Sequence, residues 1–244
     1  MNHLTTSNLL QVWERGLSVS SVHRALYLLS VGFPDYSWED LTQLSIGRRD
    51  ALLLTLREWL FGTQLASVAT CPNCGEELEF TFSTGDVRVS ENRILTTGSS
   101  LEMEGYIVHF RLPNSLDLDA VAHCSTPAAI EQQLLQRCIM SASYQKTDCE
   151  FIDLPETILD TLTARIAKED PQADIEIALT CPACDHQWQS PFDILQFLWH
   201  ELHAWAQRTL VDVHRLASAY GWREADILAM APQRRQIYLG MVNR

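Results

Sequence analysis

Four cysteines, arranged as two Cys-x-x-Cys pairs, are the residues of this chain whose type and spacing could do chemistry. Cysteines three positions apart can present both sulfurs from one tight turn, and two such turns supply the four thiolates of a closed tetrahedral Zn²⁺ site. A proline follows the first cysteine of each pair and restricts the backbone there. The pattern therefore predicts a structural zinc site whose ligands are Cys71, Cys74, Cys181 and Cys184.

The sequence on either side of each pair predicts the element that presents it. Apolar and polar residues alternate there with a period of two, which is typical of β-strands. The apolar positions are Leu65, Val68, Ala69, Leu78, Phe80 and Phe82 around the first pair, and Ile175, Ile177, Leu179 and Trp188 around the second. We expect each pair at the tip of a β-hairpin, so that the two hairpins form a zinc ribbon split by a long insertion.

The separation of the pairs leaves other interpretations open. More than a hundred residues lie between Cys74 and Cys181, whereas common ribbons separate their pairs by about 15–20 residues. Each pair could be an independent dithiol redox motif, although such a motif opens a helix in thioredoxin-like proteins and strand-like sequence follows here. Two disulfides are disfavoured because the chain begins without a signal-peptide pattern and seven cysteines leave one unpaired.

Other residues that could act as ligands or catalysts have structural interpretations. Cys124, Cys138 and Cys149 lack the paired spacing and are expected to be buried thiols. His200 and His203 resemble a zincin motif but lie one residue too close together, and the sequence offers no evident third ligand. Phosphate-binding, dinucleotide-binding and nucleophile-elbow motifs are absent from the sequence. We therefore expect no catalytic residue and no enzymatic activity.

Negative charge is concentrated between the two cysteine pairs. The chain has 244 residues and a net charge of −13, and residues 75–180 alone contain nineteen acidic and seven basic residues. Such a surface repels phosphate backbones and disfavours nucleic-acid binding. A zinc-ribbon nucleic-acid or transcription accessory protein remains the first alternative function, and a dithiol oxidoreductase the second. No apolar stretch is long enough to predict a membrane span.

The periodicity of apolar residues predicts an α+β protein, with a mainly helical body, the split zinc ribbon and a small antiparallel β element in the inserted segment. We expect five segments along the chain. They are an N-terminal helical segment (1–64), the first half of the ribbon (65–84), the acidic inserted segment (85–174), the second half of the ribbon (175–191), and a long C-terminal helix with a helical tail (192–244).

Capping residues and apolar spacing predict several helix boundaries. One helix is expected from about Ile46 to Phe61, and another begins after Thr126 with an apolar stripe that reaches Ile139. The run Ser190-Pro191 predicts the start of the long helix, which extends to Tyr220. The apolar face of this helix is broad enough to need cover on more than one side. We expect it to form the core of the protein, with docking of a partner as the alternative.

Several short runs, taken together with the cysteine pairs, resemble one known family. The resemblance is to the baseplate protein family of contractile phage tails and phage-tail-like extracellular injection systems, described as baseplate hub components or hub assembly chaperones. It covers nearly the whole chain. The runs are Gly47-Arg48-Arg49-Asp50, Phe110-Arg111-Leu112-Pro113, Asp170-Pro171-Gln172-Ala173-Asp174, Leu198-Trp199-His200-Glu201, Ala219-Tyr220-Gly221-Trp222 and Arg234-Arg235-Gln236-Ile237-Tyr238-Leu239.

This resemblance implies a non-enzymatic structural or assembly protein that acts in the bacterial cytoplasm while the particle is built, with retention in the released particle left open. The implied partners are other baseplate, hub, tube or spike proteins. Nucleic acid, a membrane and a small-molecule substrate are not expected as partners. Only the four cysteines transfer as a site. The candidate partner-binding residues of the C-terminal segment are Trp199, Trp222, Arg234, Arg235 and Tyr238.

Overall fold

The computed structural model describes residues 4–89 and 98–242 of the chain. The chain divides into two compact units, one formed by residues 1–38 and 194–244 and the other by residues 39–193. Helices and small antiparallel sheets make up these units, which confirms the α+β class. Residues 90–97 of the predicted inserted segment lie outside the described residues.

The described residues form ten α-helices and eight β-strands. The helices are α1 (Thr6–Gly16), α2 (Ser21–Gly32), α3 (Trp38–Gln43), α4 (Ile46–Phe61), α5 (Ser115–Val121), α6 (Pro127–Cys138), α7 (Glu156–Glu169), α8 (Ile194–Tyr220), α9 (Glu224–Leu228) and α10 (Pro232–Val242). The strands are β1 (Gln64–Thr70), β2 (Glu77–Ser83), β3 (Ser99–Met103), β4 (Tyr106–Phe110), β5 (Ile139–Tyr144), β6 (Thr147–Asp148), β7 (Ile175–Thr180) and β8 (Gln187–Phe192).

The first unit is built around α8, whose 27 residues make a rod about 40 Å long. Helices α1 and α2 pack against it, and Trp199 is 8% exposed at this contact. A side chain at Gly16 would overlap the Trp199 ring, so only glycine allows this approach. The Arg24 guanidinium lies 4.7 Å from the centroid of the same ring. None of the helices in the described part of the chain combines the length and hydropathy needed to cross a membrane.

The C-terminal end of α8 carries a second, smaller core. Buried Val213 and Leu216 of α8 pack with Ile227 of α9 and Leu239 of α10. The chain leaves α8 at Gly221, whose φ of +66° is the left-handed conformation that ends many helices. Three aromatic rings close this end, with centroids 4.5 to 5.9 Å apart. They belong to Tyr220, Trp222 and Tyr238.

The second unit contains a four-stranded antiparallel sheet in the order β3-β4-β5-β6. Strands β3 and β4 are joined by a two-residue turn at Glu104 and Gly105, both with positive φ, which suits the right-handed twist of a hairpin. One face of the sheet packs on α6 and α7 through an apolar cluster. The buried members are Val108, Phe110, Leu135, Ala142, Leu154, Ile158 and Leu162.

The structure confirms most of the predicted helix boundaries, including the start of α6 after Thr126 and the end of α8 at Tyr220, and corrects two others. Helix α4 spans Ile46–Phe61 as predicted. Helix α6, in contrast, ends at Cys138, and Ile139 opens β5 instead of continuing the helical stripe. The prediction that Ser190 and Pro191 start the long helix is wrong, because both belong to β8 and α8 begins at Ile194. Pro191 fits in β8 because each strand of a two-stranded hairpin is an edge strand, where proline is tolerated.

Candidate metal centre

Each Cys-x-x-Cys pair lies in the turn of a two-stranded antiparallel hairpin. The first pair connects β1 to β2, and the second connects β7 to β8. Along the strands, exposed and partly buried residues alternate. One face of each hairpin is therefore exposed to solvent, and the other face is partly covered. The rings of Phe82 in β2 and Phe192 in β8 meet edge to face, with their centroids 5.3 Å apart. The predicted hairpins are therefore confirmed, and the two lie against one another.

The two cysteine turns have the same backbone geometry. In the first turn, the Cys71 N–H donates to the carbonyl of Glu76 (2.8 Å) and the Gly75 N–H donates to the carbonyl of Cys71 (2.9 Å). The equivalent N–H groups of the second turn, those of Cys181 and Asp185, donate over 2.9 and 3.0 Å. Gly75 and Asp185 both have positive φ, at +78° and +56°. The same turn is thus built from two different sequences, with a glycine in one and an aspartate in the other.

The hairpins bring the four sulfur atoms together. The Sγ atoms of Cys71 and Cys184 are 3.8 Å apart, those of Cys74 and Cys181 are 3.5 Å apart, and all four lie within 4.8 Å of one another. A tetrahedral zinc with Zn–S bonds of about 2.3 Å requires sulfur separations of about 3.8 Å. Disulfide sulfurs would be about 2.05 Å apart, and all seven cysteines are free. The geometry therefore fits a four-thiolate metal site.

Hydrogen-bond donors around the sulfurs favour the thiolate form of Cys184. The Asn73 side-chain amide donates to the Cys184 sulfur over 3.4 Å, and together with the His186 N–H it lowers the pKa of that thiol to about 6. The hydrogen bond from the Glu76 N–H also lowers the pKa of Cys74. The neighbouring sulfurs, of which Cys184 has the largest effect, outweigh it and raise the pKa of Cys74 to about 12. Four crowded thiols cannot all ionise unless a cation neutralises them. The four sulfur atoms are therefore suited to binding a metal ion.

Polar contacts of α4 hold the segment that leads into the second hairpin. The Gly47 N–H donates to the Asp170 carboxylate over 2.9 Å, and a side chain at Gly47 would overlap that carboxylate. Two residues further on, the Gln172 side chain accepts from the Val89 N–H (2.7 Å) and donates to the Val87 carbonyl (3.0 Å). These bonds connect the segments that adjoin the two hairpins. The sequence runs that begin at Gly47 and at Asp170 therefore have a structural role.

A buried carboxylate, that of Asp117, holds parts of the inserted segment together by hydrogen bonds. Asp117 is fully buried and accepts from Arg111 at 2.5 and 2.9 Å, from Arg137 Nε at 2.8 Å and from the Asn114 N–H at 3.0 Å. Burial by itself would raise the pKa of Asp117, but the hydrogen bonds from Arg111 and Asn114 outweigh it and hold the pKa below its usual value. The run Phe110-Arg111-Leu112-Pro113 therefore has a structural role as well.

A second carboxylate, that of the partly buried Asp50 in α4, is expected to make stability depend on pH. Burial raises its pKa to about 6, against the hydrogen bond from Arg49 and with repulsion from Asp193 and Asp170. Because the folded state binds the proton of Asp50 more tightly than the unfolded state does, the protonated carboxyl adds stability below the unfolded pKa of 3.8. That added stability is lost as pH rises through 6. We expect Asp50→Asn, which keeps an acceptor for Arg49, to be more stable than the natural chain at pH 7 by up to about 3 kcal/mol.

Denaturant unfolding of both proteins at pH 4 and pH 7 measures this effect. The advantage of Asp50→Asn should be small at pH 4 and large at pH 7. The exposed Asp148→Asn serves as the control, for which we expect the same small difference at both pH values. An Asp50→Asn difference that does not change with pH would contradict the assignment.

The residues proposed as partner contacts lie in different environments of the first unit. Trp199 is in the core against α1 and α2, and Trp222 and Tyr238 belong to the aromatic group at the end of α8. Arg234 is exposed on α10, whereas Arg235 is buried, with 5% of its surface exposed.

The remaining histidine and cysteine predictions have mixed outcomes. The His203 Nδ1 accepts a hydrogen bond from the Trp13 indole N–H over 3.0 Å, so this ring has a packing role. Cys138 is a buried thiol as expected, and burial raises its pKa to about 11. Cys124 and Cys149 are only partly buried, so the prediction is wrong for these two. Spacing alone did not distinguish the three thiols.

Comparison with known protein families gives a match to this chain. Residues 35–199 match the family described as T4 bacteriophage base plate protein. The searches of curated proteins and of solved structures returned no match. The matched region contains both hairpins and all four clustered cysteines, and it ends within α8.

Proposed function

The chain belongs to the T4 bacteriophage base plate protein family, and we propose that it serves as a structural or assembly protein of the baseplate of a contractile, phage-tail-like injection system. The family match over residues 35–199 is the observation that carries this proposal. Its partners would be other baseplate, hub, tube or spike proteins, and the chain would act in the bacterial cytoplasm during assembly. We propose no catalytic role for any residue.

Within that role, we propose that Cys71, Cys74, Cys181 and Cys184 hold a structural Zn²⁺ ion. Four thiolates at tetrahedral separations are the preferred ligands of structural zinc, and a set of four leaves no open position for catalysis. Such an ion would clasp the two hairpins at their tips, while the Phe82–Phe192 contact holds them further along the strands. The hairpins would then form a zinc ribbon whose halves come from distant parts of the sequence.

The metal would contribute directly to the folding of the second unit. The two pairs enclose a chain segment of more than a hundred residues, and closing a loop of that length has an entropic cost that binding of the ion would offset. The acidic segment enclosed in this way would be held as one surface for partner proteins. A rigid acidic surface is suited to basic faces of those partners.

Deletion and complementation in the producing bacterium tests the proposed function. We expect a strain without this chain to make no complete particles, and a tagged copy to restore them. Detection of the chain in purified particles identifies a structural component, whereas its absence from restored particles identifies an assembly factor. Complete and active particles in the deletion strain would contradict the proposal. Retention on DNA at moderate salt, in place of co-purification with tube or spike proteins, would favour a nucleic-acid accessory protein.

A further inference from the structure

A cavity with several charged residues in its lining lies between α8 and α10 in the first unit. Its volume is about 500 Å³. Arg208 and Arg215 of α8 and Arg235 of α10 contribute three positive charges to its lining, and Asp212 contributes one negative charge. The cavity is far from neutral although the chain as a whole is acidic.

Arg235 is the unusual member of this lining. The residue is 5% exposed, and its Nε and Nη1 atoms are buried without a hydrogen-bond partner among the described residues. Arginine cannot lose its charge at physiological pH, so the group cannot avoid the cost of burial by deprotonation. A buried, charged group without an acceptor is strongly unfavourable. Nη2 is the guanidinium nitrogen that is not among these buried atoms, and a carboxylate that meets it would bring a compensating negative charge to the whole group.

The other two arginines are placed to assist such an acceptor. Arg208 and Arg215 are seven residues apart, which puts them on one face of α8 about 10 Å apart along the helix axis. Both are exposed, and neither has a hydrogen bond or ion pair with any residue that the structure describes. Asp212 lies between them and accepts from the Gln236 side chain over 3.3 Å. The cavity thus has a net charge of about +2 and few internal acceptors for its donors.

We propose that this cavity is a carboxylate-binding site, which receives an aspartate or glutamate side chain of a partner protein on the Arg235 guanidinium. A guanidinium and a carboxylate form strong charge-assisted hydrogen bonds. Asp212 in the lining and the overall charge of −13 oppose a polyanion such as nucleic acid, whereas a single carboxylate is accommodated. Val211, 48% exposed in the lining, adds apolar contact for the flanking residues of the partner segment. That the partner is a baseplate protein rests on the proposed function, but the site itself does not.

NMR of the intact chain labelled with ¹⁵N tests the site. The probe is a capped Gly-Glu-Gly peptide, which carries a single carboxylate, added at constant ionic strength, and the reporter is the Arg235 Nε–H signal. We expect a saturable shift of this signal. Arg235→Gln should weaken peptide binding at least about tenfold, while Arg223→Gln, at an exposed arginine of the same unit outside the cavity lining, should leave binding unchanged. Circular dichroism and the unfolding midpoint establish that each variant is folded.

A second variant keeps the test decisive if Arg235→Gln does not fold. The double substitution of the exposed Arg208 and Arg215 by glutamine should keep the fold and weaken peptide binding by about tenfold. Inorganic phosphate and a capped trilysine peptide, at the same ionic strength, are the comparison ligands. The absence of a saturable shift, tighter binding of phosphate than of peptide, or full binding by the double variant would each overturn the proposal. Failure here with intact particle assembly would leave the proposed function standing.

Discussion

Replacement of Cys181 by serine is expected to destabilise the second unit by about 4 kcal/mol or more, because a structural zinc site contributes much of the folding free energy of a small domain. Cys181 is fully buried, and its sulfur lies 3.5 Å from that of Cys74. The natural chain should contain one zinc ion, and the variant close to none. Elemental analysis and thermal unfolding measure the two effects, and treatment of the natural chain with a chelator should reproduce the loss of stability.

Cys138→Ser is the matched control for this experiment. Cys138 is about as buried as Cys181, with 1% exposure, but it lies outside the sulfur cluster. Its replacement should cost about 1–2 kcal/mol, through burial of a hydroxyl group, and should leave the zinc content unchanged. A Cys181→Ser protein that unfolds like the natural chain, or a natural chain that is purified without a thiophilic metal and resists chelators, would contradict the metal site.

The second large effect is expected at Asp117, where Asp117→Ala should cost about 3 kcal/mol. The substitution removes the acceptor of Arg111 and Arg137 and also the bond to the Asn114 N–H that helps to begin α5. The two arginines are partly exposed, at 34% and 42%, so water recovers some of the loss. Denaturant unfolding at neutral pH measures the change in the free energy of unfolding.

The ion pair between Arg165 and Glu169 is the comparison for Asp117. Its N–O distance is also 2.5 Å, but Arg165 is 49% exposed and the pair spans one turn on the surface of α7. Arg165→Ala should therefore change the free energy of unfolding by only about 0.5 kcal/mol. Equal effects of the two substitutions would mean that burial does not strengthen the Asp117 interactions.

The hairpins could be predicted because their signals are local. A pair of cysteines with a proline between them, flanked by residues of alternating polarity, predicts a turn and its two strands from fewer than twenty residues. The proximity of the two cysteine pairs could be predicted from chemistry, because a closed zinc site takes four sulfur ligands. The boundaries of α4 were also local, since Gly62 has the positive φ that ends a helix.

The wrong predictions occurred where two local signals compete. Ser190-Pro191 is a good helix start by composition, but pairing of Pro191 with Glu176 in the hairpin extends the strand past it. Strand β5 begins directly after α6, and Ile139 continues the helical spacing of the preceding apolar residues. Its partner strand β4 decides the outcome, and that pairing is not visible in the sequence around Ile139.

The contacts that position the site are long-range, and no local pattern predicts them. Gly47 and Asp170 are 123 residues apart, and Val87 and Gln172 are 85 apart. The burial of Arg235 is similar, because its sequence neighbours Arg234 and Gln236 are exposed. An arginine on a short helix is expected to be solvated, so only the packed structure reveals that its nitrogen atoms lack acceptors.

The order in which the four clustered cysteines are synthesised has a consequence for the nascent chain. Cys181 follows Cys74 by 107 positions, so a ribosome that adds about 5–20 residues per second needs about 5–20 s to reach it. If the four cysteines bind an ion as proposed, the first pair is only half of the site during this interval, and two sulfurs cannot enclose an ion. Such a half-site is open to oxidation and to capture by copper(I), which also prefers thiolates. Copper stress or oxidative stress during translation should therefore reduce the yield of correctly folded protein more than the same stress applied after synthesis.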